Sequence, residues 1–172
     1  KIDRELEQKF RILFSPLQEQ RDFDLWTTEA SATKEYSIGV IFLDIDHFKQ
    51  LNTAFTETIV DQAILPDLQR LIRDVSLHRG AAYRHGGEEF LVMLPNSDVS
   101  ETVAFGEKLR ASIEEWKFSI EGHQPVGLTV SVGVAVWPAH GKTLGEIILE
   151  ANKAEHKAKD AGRNRVCVAT DT

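Results

Sequence analysis

Apolar and polar positions follow two different periods along this chain, and the change between them predicts an ordered series of strands and helices. Residues 38–43 form a continuous apolar run, the pattern of a central strand that is covered on both faces. Residues 83–94 contain two extended segments separated by Gly86-Gly87, which predicts a β-hairpin. Three further strands are predicted from short apolar or β-branched runs, at residues 118–120, 126–137 and 166–168.

Apolar residues three and four apart predict the helices. They give a lead-in helix over residues 2–13 that is interrupted near Pro16, followed by helices over residues 64–77, 99–116 and 143–159. Thr143 is a suitable N-cap for the last helix, and Gly162 a suitable residue to end it. Asp46 is well placed to cap a helix that begins at His47-Phe48. The polar residues 27–37 predict a loop, and residues 53–60 predict no regular element clearly.

Strands separated by helices, together with two predicted hairpins, favour an α+β domain with helices packed on a mostly antiparallel central sheet. The chain has 172 residues, which is the length of one domain with a single core. We divide it into an N-terminal lead-in helix and linker, residues 1–37, and a folded domain, residues 38–172.

Composition narrows the classes of partner and compartment. A formal charge of -7 argues against a general nucleic-acid-binding surface, which would need a basic stripe to neutralise phosphates. The only cysteine, Cys167, excludes a disulfide framework and suits a reducing compartment. No apolar stretch approaches the roughly 20 residues of a membrane span, so we expect no membrane contact by this domain. Because the chain begins at Lys1 rather than Met, we expect a cytoplasmic piece of a longer protein, which includes the cytoplasmic part of a membrane-bound one.

Two acids occupy positions where metal chemistry is expected. Asp44 ends the buried strand, and Glu88 lies at the hairpin bend. Two carboxylates about 4 Å apart would repel by roughly 4 kcal/mol at an effective dielectric near 20, and a divalent cation turns that cost into attraction. Magnesium prefers oxygen ligands and keeps positions open for water and substrate phosphates. The pair therefore predicts a magnesium site for a nucleoside triphosphate, whereas each acid taken singly is equally well explained as a solvent-facing strand end or turn. For Asp46, helix capping is favoured over a metal role.

Basic residues cluster where the last helix ends. Lys159, Arg163 and Arg165 surround the turn at Ala161-Gly162. Their ordinary interpretation is favourable pairing with the negative end of the helix dipole, and the alternative is a clamp for phosphate. Lys49 follows Asp46 near a predicted helix start, where backbone amides attract anions, so it either assists phosphate binding or is a solvated surface lysine.

Four ordered blocks of the sequence together resemble the GGDEF domain of diguanylate cyclases, which join two GTP molecules into cyclic di-GMP and pyrophosphate. The resemblance runs from about Ile38 to Val168. The blocks are Asp44-Ile45-Asp46-His47-Phe48-Lys49-Gln50-Leu51-Asn52, Arg84-His85-Gly86-Gly87-Glu88-Glu89-Phe90, Ser131-Val132-Gly133-Val134-Ala135 and Lys159-Asp160-Ala161-Gly162-Arg163-Asn164-Arg165. It implies the palm-like fold of the nucleotidyl cyclases.

The resemblance also implies roles for individual positions. Magnesium, with manganese as a substitute, would be held by Asp44, Glu88 and the carbonyl of Ile45. Catalytic roles fall on Glu88, Glu89 and Lys49. Asn52 and Asp61 would hydrogen-bond the guanine edge, and the triphosphate would be bound by Phe48, Lys49, Lys159 and Arg163. The 3′-hydroxyl of one GTP would attack the α-phosphate of the other in a transient two-fold homodimer, controlled by a covalently linked sensory domain.

The chain departs from the family pattern at several points. After Asn52 the family usually continues with Asp and then an aromatic-Gly-His stretch leading to Gly-Asp, whereas residues 53–61 keep only the aromatic and the final acid. The family's usual opening block, with Leu-Thr-Gly-Leu and Asn-Arg-Arg, is not recognisable. In the last helix Asn152, Glu155 and His156 replace the common Asp, Leu and Tyr. The Arg-x-x-Asp product-inhibition motif would fall on residues 77–80 and is absent, which predicts no tight feedback binding there.

These departures leave three hypotheses open. The first is an active diguanylate cyclase, favoured because every metal and phosphate position is kept. The second is a catalytically weak or inactive module that acts as a GTP-binding or partner-binding regulatory domain, favoured by the altered residues 53–60. The third is a cyclase of altered base preference, because both base-facing residues border that altered segment.

Overall fold

The computed structural model describes residues 18–29 and 36–170 of the chain. Its elements in chain order are α1 (residues 18–29), β1 (Ile38–Ile45), α2 (Phe48–Phe55), α3 (Glu57–Ile59), a π-helix (Val60–Ile64), α4 (Leu65–Ser76), β2 (Ala81–Arg84), β3 (Glu89–Pro95), α5 (Val99–Glu115), β4 (Val130–Trp137), α6 (Leu144–Asp160) and β5 (Val166–Val168). The predicted lead-in helix and its interruption near Pro16 lie outside the described residues.

The five strands form one sheet in the order β2-β3-β1-β4-β5. Strand β1 lies at its centre and pairs antiparallel with β3 and with β4, β2 pairs antiparallel with β3, and β4 pairs parallel with β5. The predicted α+β class with a mostly antiparallel sheet is therefore confirmed. The parallel pair follows from the long connection through α6, since parallel neighbours need a crossover between them.

Both faces of the sheet are covered by helices. On one face, Ile41 and Leu43 share a buried apolar cluster with residues of α4 and α5. On the other face, Phe42 shares a second cluster with Phe23 of α1 and Ile147 of α6. Every residue of β1 is buried, as its continuous apolar run predicted. Each large side chain in these clusters contributes about 1.5–3 kcal/mol by leaving water.

The three long helices after β1 agree with the prediction within a residue or two. Thr143 caps α6, because its hydroxyl oxygen accepts the backbone N–H of Glu146 at 3.2 Å. Gly162 follows the helix with φ 120°, a conformation that glycine adopts without a steric penalty. Residues 27–29, predicted as loop, instead belong to α1. The hydroxyls of Thr27 and Thr28 donate to carbonyls one turn earlier in that helix, so these polar residues are accommodated within it.

Residues 118–129 contain less strand than predicted. Phe118 and Val126 exchange two backbone hydrogen bonds of 2.8 and 2.9 Å, but they form only an isolated bridge. Strand β4 begins at Val130 rather than at residue 126. Pro125 has no amide hydrogen to donate and Gly127 has no side chain to pack, so the ladder does not extend beyond this bridge.

Asp46 does not cap a helix, and that prediction was wrong. The residue before α2 is His47, in a left-handed conformation and without a side-chain cap. The buried carboxylate of Asp46 instead accepts the hydroxyls of Thr129 and Ser131, each at 2.6 Å, and the backbone N–H of Asn164 at 3.0 Å. It turns inward because these three donors, from residues 129–131 and from the loop after α6, converge on it. Asp46 therefore anchors the loop after α6 to the sheet through hydrogen bonds.

Within the described residues, no helix combines the length and the hydrophobicity that crossing a lipid bilayer requires.

Candidate active site

The end of β1 and the hairpin of β2 and β3 meet at one edge of the sheet. Asp44 lies directly opposite Glu89 in the antiparallel pair of β1 and β3. The backbone N–H of Ile45 donates to the carbonyl of Glu88 at 3.3 Å. Four of the predicted site residues, Asp44, Ile45, Glu88 and Glu89, are thus neighbours although more than 40 positions separate the two segments.

The two proposed metal ligands lie in an environment that disfavours their negative charge. Burial raises the pKa of Asp44, although the ammonium of Lys159 opposes the effect. Burial also raises the pKa of Glu88, and the charge of Asp44 raises it further. Carboxylates that are partly desolvated and repel each other are the donors that a divalent cation stabilises. The residues present therefore fit a magnesium or manganese ion.

Among the described residues, no group of three histidine, cysteine or acidic side chains has the arrangement of a metal site. The predicted set is smaller, because it consists of the carboxylates of Asp44 and Glu88 and the carbonyl of Ile45. Magnesium is commonly bound through one or two carboxylates, with substrate phosphates and water completing its shell. A protein ligand set of this size leaves coordination positions open for substrate phosphates and water.

Lys159 reaches this acidic edge from α6. Its Nζ lies 2.9 Å from Oδ2 of Asp44 and 3.3 Å from Oε1 of Glu155. The structure therefore pairs Lys159, a predicted phosphate ligand, with a predicted metal ligand. Sequence reasoning assigned no site role to Glu155. The available signal was an acid on the apolar stripe of α6, one turn before Lys159 and next to buried Ala154.

The Gly-Gly turn is held by a residue that was also missed. Nε of Arg84 donates to the carbonyl of Gly86 at 3.2 Å, and Nη2 donates to the carbonyl of Gly87 at 2.7 Å. A Cβ on Gly86 would lie 2.9 Å from Oε2 of Glu89, so a larger residue there would require this carboxylate to shift. Burial lowers the pKa of Arg84, and the negative charge of Asp61 opposes that shift.

Helix α1 is attached to β2 beside this turn. Nδ1 of His85 lies 3.2 Å from Oε2 of Glu19, and the Glu19 side chain is only 2% exposed. One turn later along α1, Asp22 accepts the hydroxyl of Tyr83. Helix α1 therefore packs on the sheet next to the Gly86-Gly87 turn. The division of the chain at residue 38 stays a prediction.

The pair of Glu19 and His85 makes the stability of the fold depend on pH. The hydrogen bond to the Glu19 carboxylate raises the pKa of His85. Its stabilisation is present below the unfolded pKa of about 6.5 and is lost as the pH rises through the higher folded pKa. We expect Glu19→Gln to lower the melting temperature more at about pH 6 than at about pH 8.5, by about 2–4 °C for each kcal/mol of lost coupling. Thermal unfolding at both pH values measures this, and a pH-independent difference contradicts it.

The residues predicted to bind guanine lie on two elements that α3 separates along the chain. Asn52 belongs to α2, and its buried Oδ1 accepts no hydrogen bond from the residues described. Asp61 lies on the π-helix and is exposed. Between them, Thr56 has φ 72° and ψ 152°, a region in which a β-branched residue is strained. Asn52 thus has an unused polar atom, while the segment that leads to Asp61 is distorted.

The remaining phosphate candidates differ in exposure. Phe48 packs partly against the core, whereas Lys49 is exposed on the first turn of α2. Arg163 is exposed in the turn after α6, and Nε of Arg165 donates to its carbonyl at 2.9 Å. Asp46 holds Asn164 of the same turn. Lys159 therefore lies on the last turn of α6, and Arg163 lies in the following turn, which Asp46 anchors to the sheet.

Comparison with protein families gives a match over most of the chain. The family model described as "Diguanylate cyclase, GGDEF domain" matches residues 17–165. The chain is 32% identical over 145 residues to Diguanylate cyclase A of Treponema denticola, an alignment that covers 84% of this chain and 38% of the relative. The chain therefore spans about two fifths of the length of that relative.

Solved structures show the same fold. The active GGEEF domain of a diguanylate cyclase from Vibrio cholerae superposes with a TM-score of 0.78 at 26% identity, covering 90% of this chain and 96% of that one. The GGDEF domain of DgcB from Caulobacter crescentus, in complex with c-di-GMP, superposes with a TM-score of 0.73 at 28% identity, covering 87% and 89%. The palm-like fold that the sequence resemblance implied is therefore shown.

Proposed function

Because the chain belongs to the GGDEF domain family, we propose that it is a diguanylate cyclase that condenses two GTP molecules into cyclic di-GMP and pyrophosphate. The observation that carries this proposal is the position of Asp44 and Glu88 at neighbouring strand ends, with Lys159 beside them. A carboxylate pair next to a cationic side chain suits phosphoryl transfer, in which both a metal ion and the triphosphate need binding groups.

In this proposal Asp44, Glu88 and the Ile45 carbonyl hold magnesium, or manganese in its place. When bound, the ion neutralises charge on the transferring phosphoryl group and helps to activate the attacking oxygen. Lys159 and Arg163 bind the phosphates from the end of α6. Lys49 binds them from the first turn of α2, with Phe48 beside it, where the backbone amides of the helix start also attract anions.

The reaction exchanges one phosphorus–oxygen bond for another. The 3′-oxygen of one GTP bonds to the α-phosphorus of the second, and the bond between that phosphorus and the bridging oxygen breaks to release pyrophosphate. Glu89 is opposite Asp44 at the site edge, so its carboxylate is the candidate to take the proton of the 3′-hydroxyl. One chain presents one nucleotide, so two chains meet about a two-fold axis and each bond is formed between them.

The decisive experiment is magnesium-dependent pyrophosphate release from the purified chain supplied with GTP. We expect release together with cyclic di-GMP, and both should stop when the metal is chelated. GTP binding without pyrophosphate release would instead identify a regulatory module. Mixed products from GTP and ATP together would identify a cyclase of altered base preference.

One observation favours those two alternatives. Thr56 occupies the position where the family usually has glycine, and its φ of 72° costs a β-branched residue about 1–3 kcal/mol. The strained segment connects Asn52 to Asp61, the two residues assigned to guanine. An altered pocket would weaken nucleotide selection without touching Asp44 or Glu88.

The guanine assignment gives a prediction about affinity. We expect Asp61→Ala to weaken GTP binding by about tenfold, because it removes a charged acceptor for the guanine N–H groups. Calorimetry with GTP measures the dissociation constant. Glu57→Ala is the matched control, since it removes another exposed acid from the same segment and should leave the constant unchanged. An unaltered constant in Asp61→Ala would reject the assignment.

The relative from Treponema denticola extends well beyond the aligned region. We propose that the chain is the cytoplasmic output domain of a longer protein, with a covalently linked sensory portion elsewhere in it. Helix α1 would connect the sensory portion to the output domain, because it contacts β2 beside the Gly86-Gly87 turn.

A further inference from the structure

Glu155 is the least expected side chain near the proposed site. It is 0% exposed, and neither of its carboxylate oxygens accepts a hydrogen bond from a described residue. Among the described residues, its close basic neighbours are Lys159, at 3.3 Å, and the exposed ring of His156, at 3.9 Å. The Lys159 contact has the distance of an ion pair but not the direction of a hydrogen bond. Burying a carboxylate in this way destabilises the fold.

The position of Glu155 is fixed by close packing. Helix α6 crosses β4 at Gly133, where an added Cβ would lie 2.9 Å from the Cβ of Glu155. Glu155 also precedes Lys159 by four residues, the order in which a glutamate and a lysine pair best on a helix. Its carboxylate is therefore a rigidly placed partner for a flexible lysine side chain.

Lys159 contacts two carboxylates that have different roles in the proposed function. Asp44 is the nearer partner in the structure, at 2.9 Å. In the proposed function Asp44 binds a divalent cation, and its negative charge then no longer attracts an ammonium. The like charge of the cation also repels Lys159. Without a second anchor, the lysine would turn towards solvent and away from the triphosphate.

We propose that Glu155 is a positioning residue that keeps the Lys159 ammonium beside the triphosphate when Asp44 binds the metal ion. This inference rests on the proposed function. It explains why an acid occupies a buried position where an apolar residue would pack at lower cost. Asp44 and Glu155 would then hold Lys159 in turn, Asp44 before the metal and nucleotide arrive and Glu155 afterwards.

A double-mutant cycle on nucleotide binding tests the inference. The variants are Glu155→Gln, Lys159→Met and the two combined, and the measurement is calorimetry with a non-hydrolysable GTP analogue and magnesium. We expect Glu155→Gln to weaken binding by about tenfold when Lys159 is present, and to have no further effect in the Lys159→Met background. The matched control is Glu150→Gln, which breaks the 2.8 Å pair with Lys153 on the same helix and should leave binding unchanged.

The thermal stability of the variants distinguishes a positioning role of Glu155 from a purely structural one. Glu155→Gln and Glu155→Leu both remove a buried negative charge, so their melting temperatures should equal or exceed that of the unaltered chain while their affinity falls. A purely structural residue would lower affinity and melting temperature together. Equal losses in both Lys159 backgrounds, or unchanged affinity, would overturn the role of Glu155 and leave the proposed function standing. Failure of the unaltered chain to bind the analogue would overturn both.

Discussion

Glu88→Ala is expected to reduce cyclic di-GMP formation by about 10³-fold while the fold stays intact. Glu88 lies at the hairpin tip, beside the end of β1, and its carbonyl already accepts the N–H of Ile45. That backbone contact survives the substitution, so the turn keeps its place. What is lost is one of the two carboxylates proposed to hold the metal ion.

The same variant should be at least as stable as the unaltered chain. The pKa of Glu88 is raised by burial and by the charge of Asp44, which means that its ionised form is disfavoured in the folded state. Removing it relieves this repulsion, so activity and melting temperature should move in opposite directions. Such an opposition is typical of a site whose charges are arranged for a ligand rather than for stability.

Product formation with GTP and magnesium, together with thermal unfolding, measures both effects. Asp44→Ala should reduce turnover to a similar extent, although Lys159 then keeps Glu155 as its one acidic partner among the described residues. Glu115→Ala removes an exposed acid at the end of α5 and is the control for a general change in charge. Unchanged cyclic di-GMP formation by either site variant would refute the mechanism.

The parts of this site that could be predicted are those coded by neighbouring residues. The run before Asp44 identifies a buried strand, and Gly86-Gly87 identifies the turn that carries Glu88. Both signals are local, because a strand and a tight turn depend on a few consecutive residues. That the two segments meet was predicted from their acids, and the structure shows that they pair antiparallel with Asp44 opposite Glu89.

The parts that could not be predicted depend on partners far away in the sequence. Asp46 was assigned to a helix start two residues away, but its donors Thr129 and Ser131 lie 83 and 85 positions along the chain. Likewise, the residues near His85 do not indicate that its partner is Glu19, 66 positions earlier. The local sequence pattern favours a capping role for any acid that directly precedes a helix. Only the packed fold reveals stronger competing donors.

Gly133, in the Ser131-Val132-Gly133-Val134-Ala135 block, also has a role that its neighbours in the sequence do not reveal. The sequence suggested a strand there, and β-strands are generally weakened by glycine. The structure supplies the reason for its presence, since α6 crosses β4 at this residue. The block therefore specifies a close contact between a helix and a strand, which is a property of two segments rather than of one.

Gly133→Ala is therefore expected to destabilise the fold by about 3 kcal/mol and to lower the melting temperature by about 6–12 °C. A Cβ at this position would overlap the carbonyl oxygen of Ala151 and the amide nitrogen of Glu155. Both are backbone atoms within a helix and cannot turn aside as a side chain does. The whole of α6 would have to move away from β4, and the buried contacts of Ile147 would be loosened with it.

A matched glycine-to-alanine substitution in α6, the helix that Gly133 contacts, isolates the effect of the overlap. Gly145 lies in the first turn of α6, and an added Cβ there would meet nothing closer than the Thr143 hydroxyl at 3.9 Å. Gly145→Ala should be neutral or raise stability by up to about 1 kcal/mol, because alanine favours helix more than glycine does. Thermal unfolding compares the two variants, and equal melting temperatures would rule out the overlap at Gly133. Displacement of α6 would also carry Lys159 away from Asp44, so Gly133→Ala should lose nucleotide affinity along with stability, whereas Gly145→Ala should lose neither.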